Sequence, residues 1–355
     1  MWVGREEGKH VSQEDTAVED LPGGDRKQTV SIYDIAKKAG VSPSTVSRVF
    51  SRPERVSAAT AERIRDAAVA LNYRVNPLAR ALPTGRTGIL GLLLSDITNP
   101  VFFDLVRGAG QVVSAEGYTL VLAESQELPG MEVQAADRLL SLVDGLVLVG
   151  TRMNEEDVLR FAERKPVVLV NRRIGSLPHV IPDVTPGIKA AVAHLAGLNH
   201  RSIAFLSGPA TSWMSTWRWE TALDEALDCG VNIVEIGPCS PTFEGGAEAL
   251  KRVRASGVSA VLTFNDVMAI GLLTACAEAG IRVPEDLSII GFDDIFASQF
   301  TSPSLTTIRT PLGEAGEHAF RRLVAALKGM DEDVPSDLAA DLIVRGSTGA
   351  SGRKP

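Results

Sequence analysis

A seven-residue stretch near the N-terminus, Ser42 to Arg48, combines short hydroxyl side chains with one arginine. Arginine offers two parallel donors that match O6 and N7 of guanine, so we expect Arg48 to read a base. Ser44 can donate or accept and discriminates less, while Pro43 can offer only an apolar contact. The hydroxyls of Ser42, Thr45 and Ser47 suit phosphate contacts that fix the register of a protein on DNA. These residue types therefore favour nucleic-acid binding.

Three short helices are predicted around this stretch. Ser31 can cap the first, with Asp34 three residues later and an apolar stripe that ends before Gly40. Ser42 is a suitable N-cap for the second helix, and Pro43 fits its first position. The third helix is expected from Ser57 to about Asn72. Helix, tight turn, helix is the form of a helix-turn-helix, whose second helix enters the major groove.

Charge is distributed unevenly along the chain. The whole chain carries −8, but the segment Arg26 to Arg86 has twelve Lys/Arg and four Asp/Glu, so it carries +8 and the remainder −16. A basic module joined to an acidic domain is typical of DNA-binding proteins. Composition alone leaves open a small helical bundle with a solvated basic face.

From Gly88 onward the pattern changes to alternating strands and helices, which predicts parallel sheets covered on both faces. So many such units in about 260 residues indicate two doubly wound subdomains with a cleft between them. The predicted strands are Ile89–Leu94, Thr119–Ala123, Leu146–Val149, Val167–Val170, Ser202–Leu206, Ile233–Ile236, Ala260–Phe264 and Ser288–Ile290.

Polar side chains come directly after several of these strands. Open α/β sheets bind their ligands beyond the carboxyl ends of their strands, so these side chains are candidates for ligand contacts. Carboxylates and amides in a cleft with aromatic walls suit polyols, whose hydroxyls need acceptors. The residues that follow strands in this way are Ser95, Asp96, Asn99, Phe103, Asn171, Arg172, Asp183, Asn265, Asp266 and Asp293.

The segment Val30 to Val49 resembles the headpiece of the lactose-repressor (LacI/GalR) family of transcription regulators nearly residue for residue. Val56 to Tyr73 and Asn76 to Leu82 resemble that family's third helix and hinge. The resemblance implies an operator-binding repressor, controlled by a small-molecule effector. The DNA contacts expected from it are Ser31, Tyr33, Ser42, Pro43, Ser44, Thr45, Ser47, Arg48, Asn76, Ala79, Arg80 and Leu82.

The resemblance further implies a hinge that folds into a helix on DNA, with Leu82 as the wedge that opens a base step in the minor groove. Packing of Leu82 against the main domain is the alternative. Pro83 disfavours helical geometry at Leu82, so the hinge helix is expected to end there.

The rest of the chain resembles the family's effector domain, which is similar to periplasmic sugar-binding proteins. The segments that carry this likeness include Gly88–Gly91, Ser95–Phe103, Phe264–Gly271 and Ile289–Asp294, and Ser302–Arg309 resembles a crossover back. The effector contacts expected are Asp96, Asn99, Phe102, Phe103, Asn171, Asp183, Trp213, Trp217, Arg218, Asp266 and Asp293.

Asp266 is the strongest of these expectations because its position matches a family ligand residue; the alternative is a helix cap. Sugar-binding members often carry an arginine where Thr216 lies, and only Arg218 matches a family arginine. This departure argues against a simple sugar. A sugar-like effector is the favoured expectation, and a nucleoside is the alternative. Trp213 or Trp217 is expected to close on the effector, with Trp219 in the core; the alternative places all three on a core-facing helix side.

Other classes of protein find little support. The three cysteines and five histidines have no metal-ligand spacing, and no catalytic or nucleotide-binding motif appears. We therefore expect no enzyme activity, metal or cofactor. A sugar-binding protein without a regulatory role is the alternative, but it would need no basic headpiece. No apolar run is long enough to span a membrane and no secretory signal is recognisable, which favours the cytoplasm.

Helix-turn-helix proteins bind DNA as two-fold symmetric dimers in which each subunit covers one half-site. We therefore expect a homodimer on a pseudo-palindromic site. The fold class expected is a small all-α helix-turn-helix headpiece plus a periplasmic-binding-protein-like α/β domain of two doubly wound subdomains. The predicted divisions are a disordered tail (1–28), the headpiece (29–75), hinge and linker (76–87), the effector and dimerisation domain (88–346) and a tail (347–355).

Overall fold

A computed structural model of the chain describes residues 30–51, 55–73, 86–330 and 338–352. The chain divides into two compact units, Met1–Asn76 and Pro77–Pro355. The predicted N-terminal tail, most of the hinge and the last three residues lie outside the described residues.

The described part of the first unit contains three helices, α1 (Ile32–Ala39), α2 (Pro43–Ser51) and α3 (Ala58–Ala70). The Asp34 carboxylate accepts hydrogen bonds from the Ser31 N–H and hydroxyl, both at 2.8 Å, which fixes the start of α1. Gly40 ends α1 in the left-handed region at φ +65°, a conformation that costs glycine little. The Ser42 hydroxyl accepts from the Thr45 N–H at 3.2 Å and so caps α2. The predicted helix-turn-helix is confirmed.

Apolar side chains from all three helices meet in one small core. Ile35, Val46 and Ile64 are fully buried there, together with alanines of α1 and α3. These buried residues are the apolar residues that occur at helical spacing in each segment, because residues three or four apart share one face of a helix.

Two sheets form the framework of the second unit. The first is all parallel in the order β2-β1-β3-β4-β5, and the second has the order β11-β10-β9-β8-β6-β7 with β11 antiparallel to its neighbour. The strands are β1 (Ile89–Leu94), β2 (Thr119–Glu124), β3 (Gly145–Val149), β4 (Val167–Val170), β5 (His179–Val180), β6 (Ser202–Leu206), β7 (Asn232–Ile236), β8 (Ala260–Thr263), β9 (Ser288–Asp293), β10 (Thr306–Arg309) and β11 (Asp341–Ile343).

Helices cover both sheets, as buried parallel sheets require. They are α4 (Phe102–Ala115), α5 (Pro129–Leu142), α6 (Glu155–Arg164), α7 (Thr185–Gly197), α8 (Trp213–Asp228), α9 (Phe243–Ser256), α10 (Asp266–Glu278) and α11 (Leu312–Lys328). A 3₁₀ helix, Phe296–Gln299, follows β9. Although α11 follows a strand of the second sheet, its Phe320 and Leu323 are buried in the core of the first. The chain therefore passes between the two subdomains more than once.

Two details differ from the sequence-based expectation. The segment expected as a crossover contains β10, which pairs with β9, and the crossover to α11 comes after Arg309. The residues expected as a C-terminal tail from 347 are hydrogen-bonded to the second subdomain as far as Ser351. Ser347 is fully buried, and its hydroxyl accepts from the Thr306 N–H at 2.8 Å and donates to the Ile289 carbonyl at 2.6 Å. That segment satisfies buried backbone groups, which a free tail does not do.

Candidate DNA-binding surface and effector cavity

The outer face of α2 presents polar side chains to solvent. Ser44 and Arg48 are exposed and lie four residues apart, on one helix face, while Val46 and Val49 are buried on the opposite face. Their spacing places both polar groups where a groove-binding helix meets bases.

The hydroxyl residues near the start of α2 form a connected group. The Ser42 hydroxyl lies 2.8 Å from that of Ser44 and 2.9 Å from that of Thr45. Tyr33 on α1 is 69% exposed, and Ser31, Pro43 and Ser47 are half-buried. The expected DNA contacts Asn76, Ala79, Arg80 and Leu82 lie outside the described residues.

A cavity lies in the second unit where the carboxyl ends of strands from both sheets meet. Its empty volume, open solvent at the mouth included, is about 500 Å³. The polar and aromatic residues that line it include Ser95, Asn99, Phe102, Glu127, Arg152 and Asn171 from the first subdomain, and Ser212, Arg218, Phe264, Asn265 and Asp293 from the second.

Arg218 of α8 is the most constrained polar group of this cavity. Its guanidinium carbon lies 3.5 Å from the ring centroid of Phe292 and 5.0 Å from that of Phe264. Nη1 donates to the Phe264 carbonyl, and Nη2 lies 3.3 Å from the Asp293 carboxylate. Nε is buried and has no hydrogen-bond partner among the described residues. A buried donor without an acceptor is costly, and the contacts of Nη1, Nη2 and the two rings hold this group in place.

Asp293 ends β9 in an unusual backbone conformation. Its φ is +107°, and Asn171, which follows β4, has φ +59°. Strain of this kind at side chains that line a cavity is typical of ligand sites. Burial raises the pKa of Asp293 to about 6, against the opposing effect of the Arg218 charge. Near neutral pH Asp293 is mostly ionised and can accept hydrogen bonds.

The wall from the first subdomain carries a second arginine. Arg152 Nε donates to Glu127 Oε2 at 2.9 Å, and its Nη1 donates to the Gly150 carbonyl at 2.8 Å. The Arg152 N–H donates to the buried Glu132 carboxylate at 2.8 Å. Burial raises the pKa of Glu132.

Of the expected effector contacts, Asn99, Phe102, Asn171, Arg218 and Asp293 line the cavity. Asp96, Phe103 and Asp183 do not. The Asp96 carboxylate accepts from the Thr98 N–H and hydroxyl within its own loop, and that of Asp183 accepts from the Thr185 N–H at the start of α7. Phe103 is 51% exposed and stacks on Phe296 at a centroid distance of 6.5 Å.

Asp266, expected as the strongest effector contact, is fully buried and is not among the residues that line the cavity. Its carboxylate accepts from the Ile295 N–H at 2.9 Å and from the hydroxyls of Ser298 and Thr307 at 2.6 and 2.5 Å. Its neighbour Asn265 lines the cavity, caps α10 through the Met268 N–H and donates to the Pro241 carbonyl. Consecutive residues at a helix start point in different directions, and the sequence pattern does not say which one faces the ligand.

The tryptophans expected near the effector form a pair outside the cavity lining. The rings of Trp213 and Trp217 are tilted at a centroid distance of 5.3 Å, and Trp213 is 36% exposed. Trp219 is partly buried and packs on Phe205 against the core of the second subdomain, and Trp217 is also partly buried against that core. Met214, between the two paired tryptophans, lines the cavity instead.

Sequence reasoning missed Glu127, Arg152, Ser212 and Phe264 as lining residues. Arg152 comes three residues after β3, and Glu127 three residues after β2. The strand-end rule that selected Asn171 would have found both, had it been applied to β2 and β3. Among the described residues, no group of three or more His, Cys, Asp or Glu could hold a metal ion, and no described helix is long and apolar enough to cross a membrane.

Comparisons with known proteins match both units. Residues 31–76 match the family model of bacterial regulatory proteins of the lacI family, and residues 192–348 match a periplasmic binding protein-like domain. The HTH-type transcriptional repressor CytR of Escherichia coli K12 is 30% identical over 92% of this chain and 98% of its own length. The regulator AscG of the same organism is 34% identical over 91% of this chain and 99% of its own.

The chain belongs to the lacI family of bacterial regulatory proteins. A crystal structure of the lac repressor dimer bound to operator and the anti-inducer ONPF superposes with a TM-score of 0.80 at 26% identity, covering 91% of this chain and all of that one. This lacI-family chain is thus a DNA-binding transcription regulator with an effector-binding domain. Its relatives CytR and AscG are regulators of transcription rather than enzymes. The expected fold class is confirmed in both units.

Proposed function

We propose that this lacI-family protein is a repressor that reads its operator with the outer face of α2. Arg48 contacts a guanine edge in the major groove, and Ser44 makes a less selective contact beside it. Ser31, Tyr33, Ser42, Pro43, Thr45 and Ser47 complete the headpiece contacts. Asn76, Ala79, Arg80 and Leu82 contribute from the hinge. The exposed pair Ser44 and Arg48, opposite the buried Val46 and Val49, supports this assignment.

The effector binds in the cavity between the two sheets and changes operator affinity. The observation that carries this proposal is that Arg218 and Asp293, 3.3 Å apart, line the cavity together with polar residues from both subdomains. A ligand hydroxyl can donate to the Asp293 carboxylate, and a sugar or the ribose of a nucleoside provides such hydroxyls. Asn99, Asn171 and Asn265 offer further donors and acceptors.

Two copies associate so that their headpieces read both halves of a pseudo-palindromic operator. An exposed aromatic group formed by Phe103, Phe296 and Phe300 is the surface we assign to this contact, because all three are more than half exposed. Monomeric proteins seldom leave such a group in water. The protein acts in the cytoplasm, where bacterial DNA lies.

Selection from a pool of randomised duplex DNA tests the proposal. The full chain is bound to the pool, the bound DNA is sequenced, and the selection is repeated with sugars and nucleosides. We expect a site with two-fold symmetry whose recovery changes with at least one compound. Weak binding without sequence preference and with steep salt dependence would contradict operator reading and reopen the alternative of a sugar-binding protein without a regulatory role.

A further inference from the structure

Two arginine–carboxylate pairs line the effector cavity, one from each subdomain. In the first, Arg152 Nε donates to Glu127 at 2.9 Å; in the second, Arg218 Nη2 lies 3.3 Å from Asp293. No other ionisable residue is found among the described residues that line the cavity. With both carboxylates ionised, this lining carries two positive and two negative charges and no net charge.

The two pairs differ in how deeply they are fixed. The side chains of Arg218 and Asp293 are both 6% exposed, and Arg218 is held between two phenylalanine rings. In the other pair, Arg152 is also 6% exposed, but Glu127 is 21% exposed. Glu127 is therefore the carboxylate of the cavity whose loss disturbs packing least.

The loop after β2 holds the backbone of Glu127 in a conformation that residues other than glycine rarely adopt. Glu127 has φ +59° and the preceding Gln126 has φ +52°, so two consecutive residues other than glycine occupy the left-handed region. The Glu127 N–H donates to the Ser95 carbonyl at 2.9 Å, which anchors the loop to the end of β1. Strained backbone of this kind is found where surrounding structure fixes a functional side chain.

Arg152 is held from the backbone side as well. Its N–H is bound by the buried Glu132, and its Nη1 by the Gly150 carbonyl. A guanidinium placed at a cavity wall and left alone would attract a phosphate or carboxylate, because arginine binds such groups through paired hydrogen bonds. Here Glu127 accepts the hydrogen bond of Arg152 Nε, and its negative charge balances the positive charge of Arg152.

From this geometry we propose that the Arg152–Glu127 pair determines the charge of the effector: the cavity selects an uncharged, hydroxyl-bearing molecule and rejects its phosphorylated or carboxylated forms. The proposal rests on the proposed function of the cavity as the effector site. Both arginines of the cavity are already paired with carboxylates, so an anionic ligand finds no free positive charge to bind. It must also approach the negative charges of Glu127 and Asp293, and the free-energy cost of removing its water is therefore not compensated. An uncharged ligand meets donors and acceptors without that cost.

The test compares the wild type with Glu127→Gln, which keeps the shape of the side chain and removes its charge. Glu124→Gln is the matched control, because Glu124 also lies at the end of β2 but does not line the cavity. The probes are ribose, glucose and uridine, each beside its phosphate monoester, together with inorganic phosphate. Binding is measured by thermal unfolding and calorimetry at pH 8, where Asp293, with a pKa of about 6, is ionised.

We expect the wild type and Glu124→Gln to prefer an uncharged compound to its phosphate ester. Glu127→Gln is expected to shift that ratio toward the ester by about tenfold or more and to gain stabilisation by inorganic phosphate. The converse variant, Arg152→Gln, leaves Glu127 unpaired and is expected to favour 6-amino-6-deoxyglucose, whose primary amine is protonated at pH 8, over glucose. If Glu127→Gln does not fold, Arg152→Gln still tests the charge assignment.

Tighter binding of a phosphate ester by the wild type would overturn the charge assignment while leaving the effector function intact. An unchanged ratio in both cavity variants would overturn it equally. If no compound of either class alters unfolding or operator binding, the proposed effector function itself fails and the charge assignment fails with it.

Discussion

Arg48 and Arg218 carry the same functional group in opposite surroundings. Arg48 is exposed on α2, where its donors are open to bases, and Arg218 is buried against aromatic rings, where its Nε lacks an acceptor among the described residues. Residue type and helix spacing predict that Arg48 is exposed and reads a base; the structure confirms the exposure, and base reading stays a prediction. Arg218 was expected as an effector contact from the family resemblance, and the structure adds its contacts with Phe264, Phe292 and Asp293.

Replacing Arg48 by alanine is expected to weaken operator binding by about tenfold to a hundredfold, since a paired arginine–guanine contact contributes about 1–3 kcal/mol. Binding to unrelated DNA is expected to change much less. Arg63→Ala is the control, because it removes the same charge from an exposed position on α3. Fluorescence anisotropy with operator and scrambled duplexes measures both affinities; equal losses on the two duplexes would rule out base reading by Arg48.

Asp266 is expected to make stability depend on pH. Burial raises its pKa from an ordinary 3.8 to about 7, against the hydrogen bonds from Ser298, Thr307 and Ile295. The folded protein therefore keeps this proton where the unfolded chain has lost it. Its contribution to stability is complete below about pH 4 and is lost as the pH rises toward 7.

The side chain of Asp266→Asn has no carboxyl group and does not titrate. The unfolding free energy of the wild type minus that of the variant is therefore expected to fall between about pH 4 and pH 7. Urea unfolding at a series of pH values measures the difference. A constant difference, or one that increases with pH, would show that Asp266 is ionised in the folded protein throughout.

At the scale of elements, the sequence was informative where buried aliphatic residues mark an element. The bounds of β1, β4 and β6 were predicted without error, because runs of buried aliphatic residues mark central parallel strands. β10 was missed because the segment Thr306–Arg309 is mostly threonine and arginine, although Thr306 and Thr307 are fully buried. Their hydroxyls are satisfied by partners far along the chain, including Asp266 and Thr348, which local pattern cannot reveal.

The candidate site was predictable in part for the same reason. Strand ends identified Asn99, Asn171 and Asp293, since parallel strands bring their carboxyl ends to one edge. The choice between Asn265 and Asp266 depends on which side chain caps α10, and that depends on packing across β9 and β10.

The close packing of α4 on α11 gives a test at this scale. A Cβ added at Gly108 would lie 2.1 Å from the Gly313 carbonyl oxygen, whereas one at Gly110 would meet nothing within 4 Å. Gly108→Ala is expected to lower the unfolding free energy by about 1–3 kcal/mol through overpacking. Gly110→Ala, on the same helix, is expected to raise it by up to about 1 kcal/mol. Denaturant unfolding compares the two; similar effects would contradict the helix contact.

At the scale of the whole molecule, dimerisation makes its own prediction. Phe300 is 81% exposed, so Phe300→Asp is expected to leave each subunit folded while raising the dimer dissociation constant by about tenfold or more. Leu227→Asp is the control, because Leu227 is another exposed apolar residue, 68% exposed at the end of α8. Sedimentation velocity measures the dissociation constants. Equal association in both variants would place the dimer contact elsewhere.

The central claim is that the cavity between the two sheets controls DNA binding by the headpiece. The most direct test is the operator affinity of the full chain with and without an effector found by selection, in the wild type and in Asp293→Asn. We expect the effector to change wild-type affinity several-fold or more, and the variant to bind operator normally but lose that response. An effector response in Asp293→Asn equal to that of the wild type would contradict the claim.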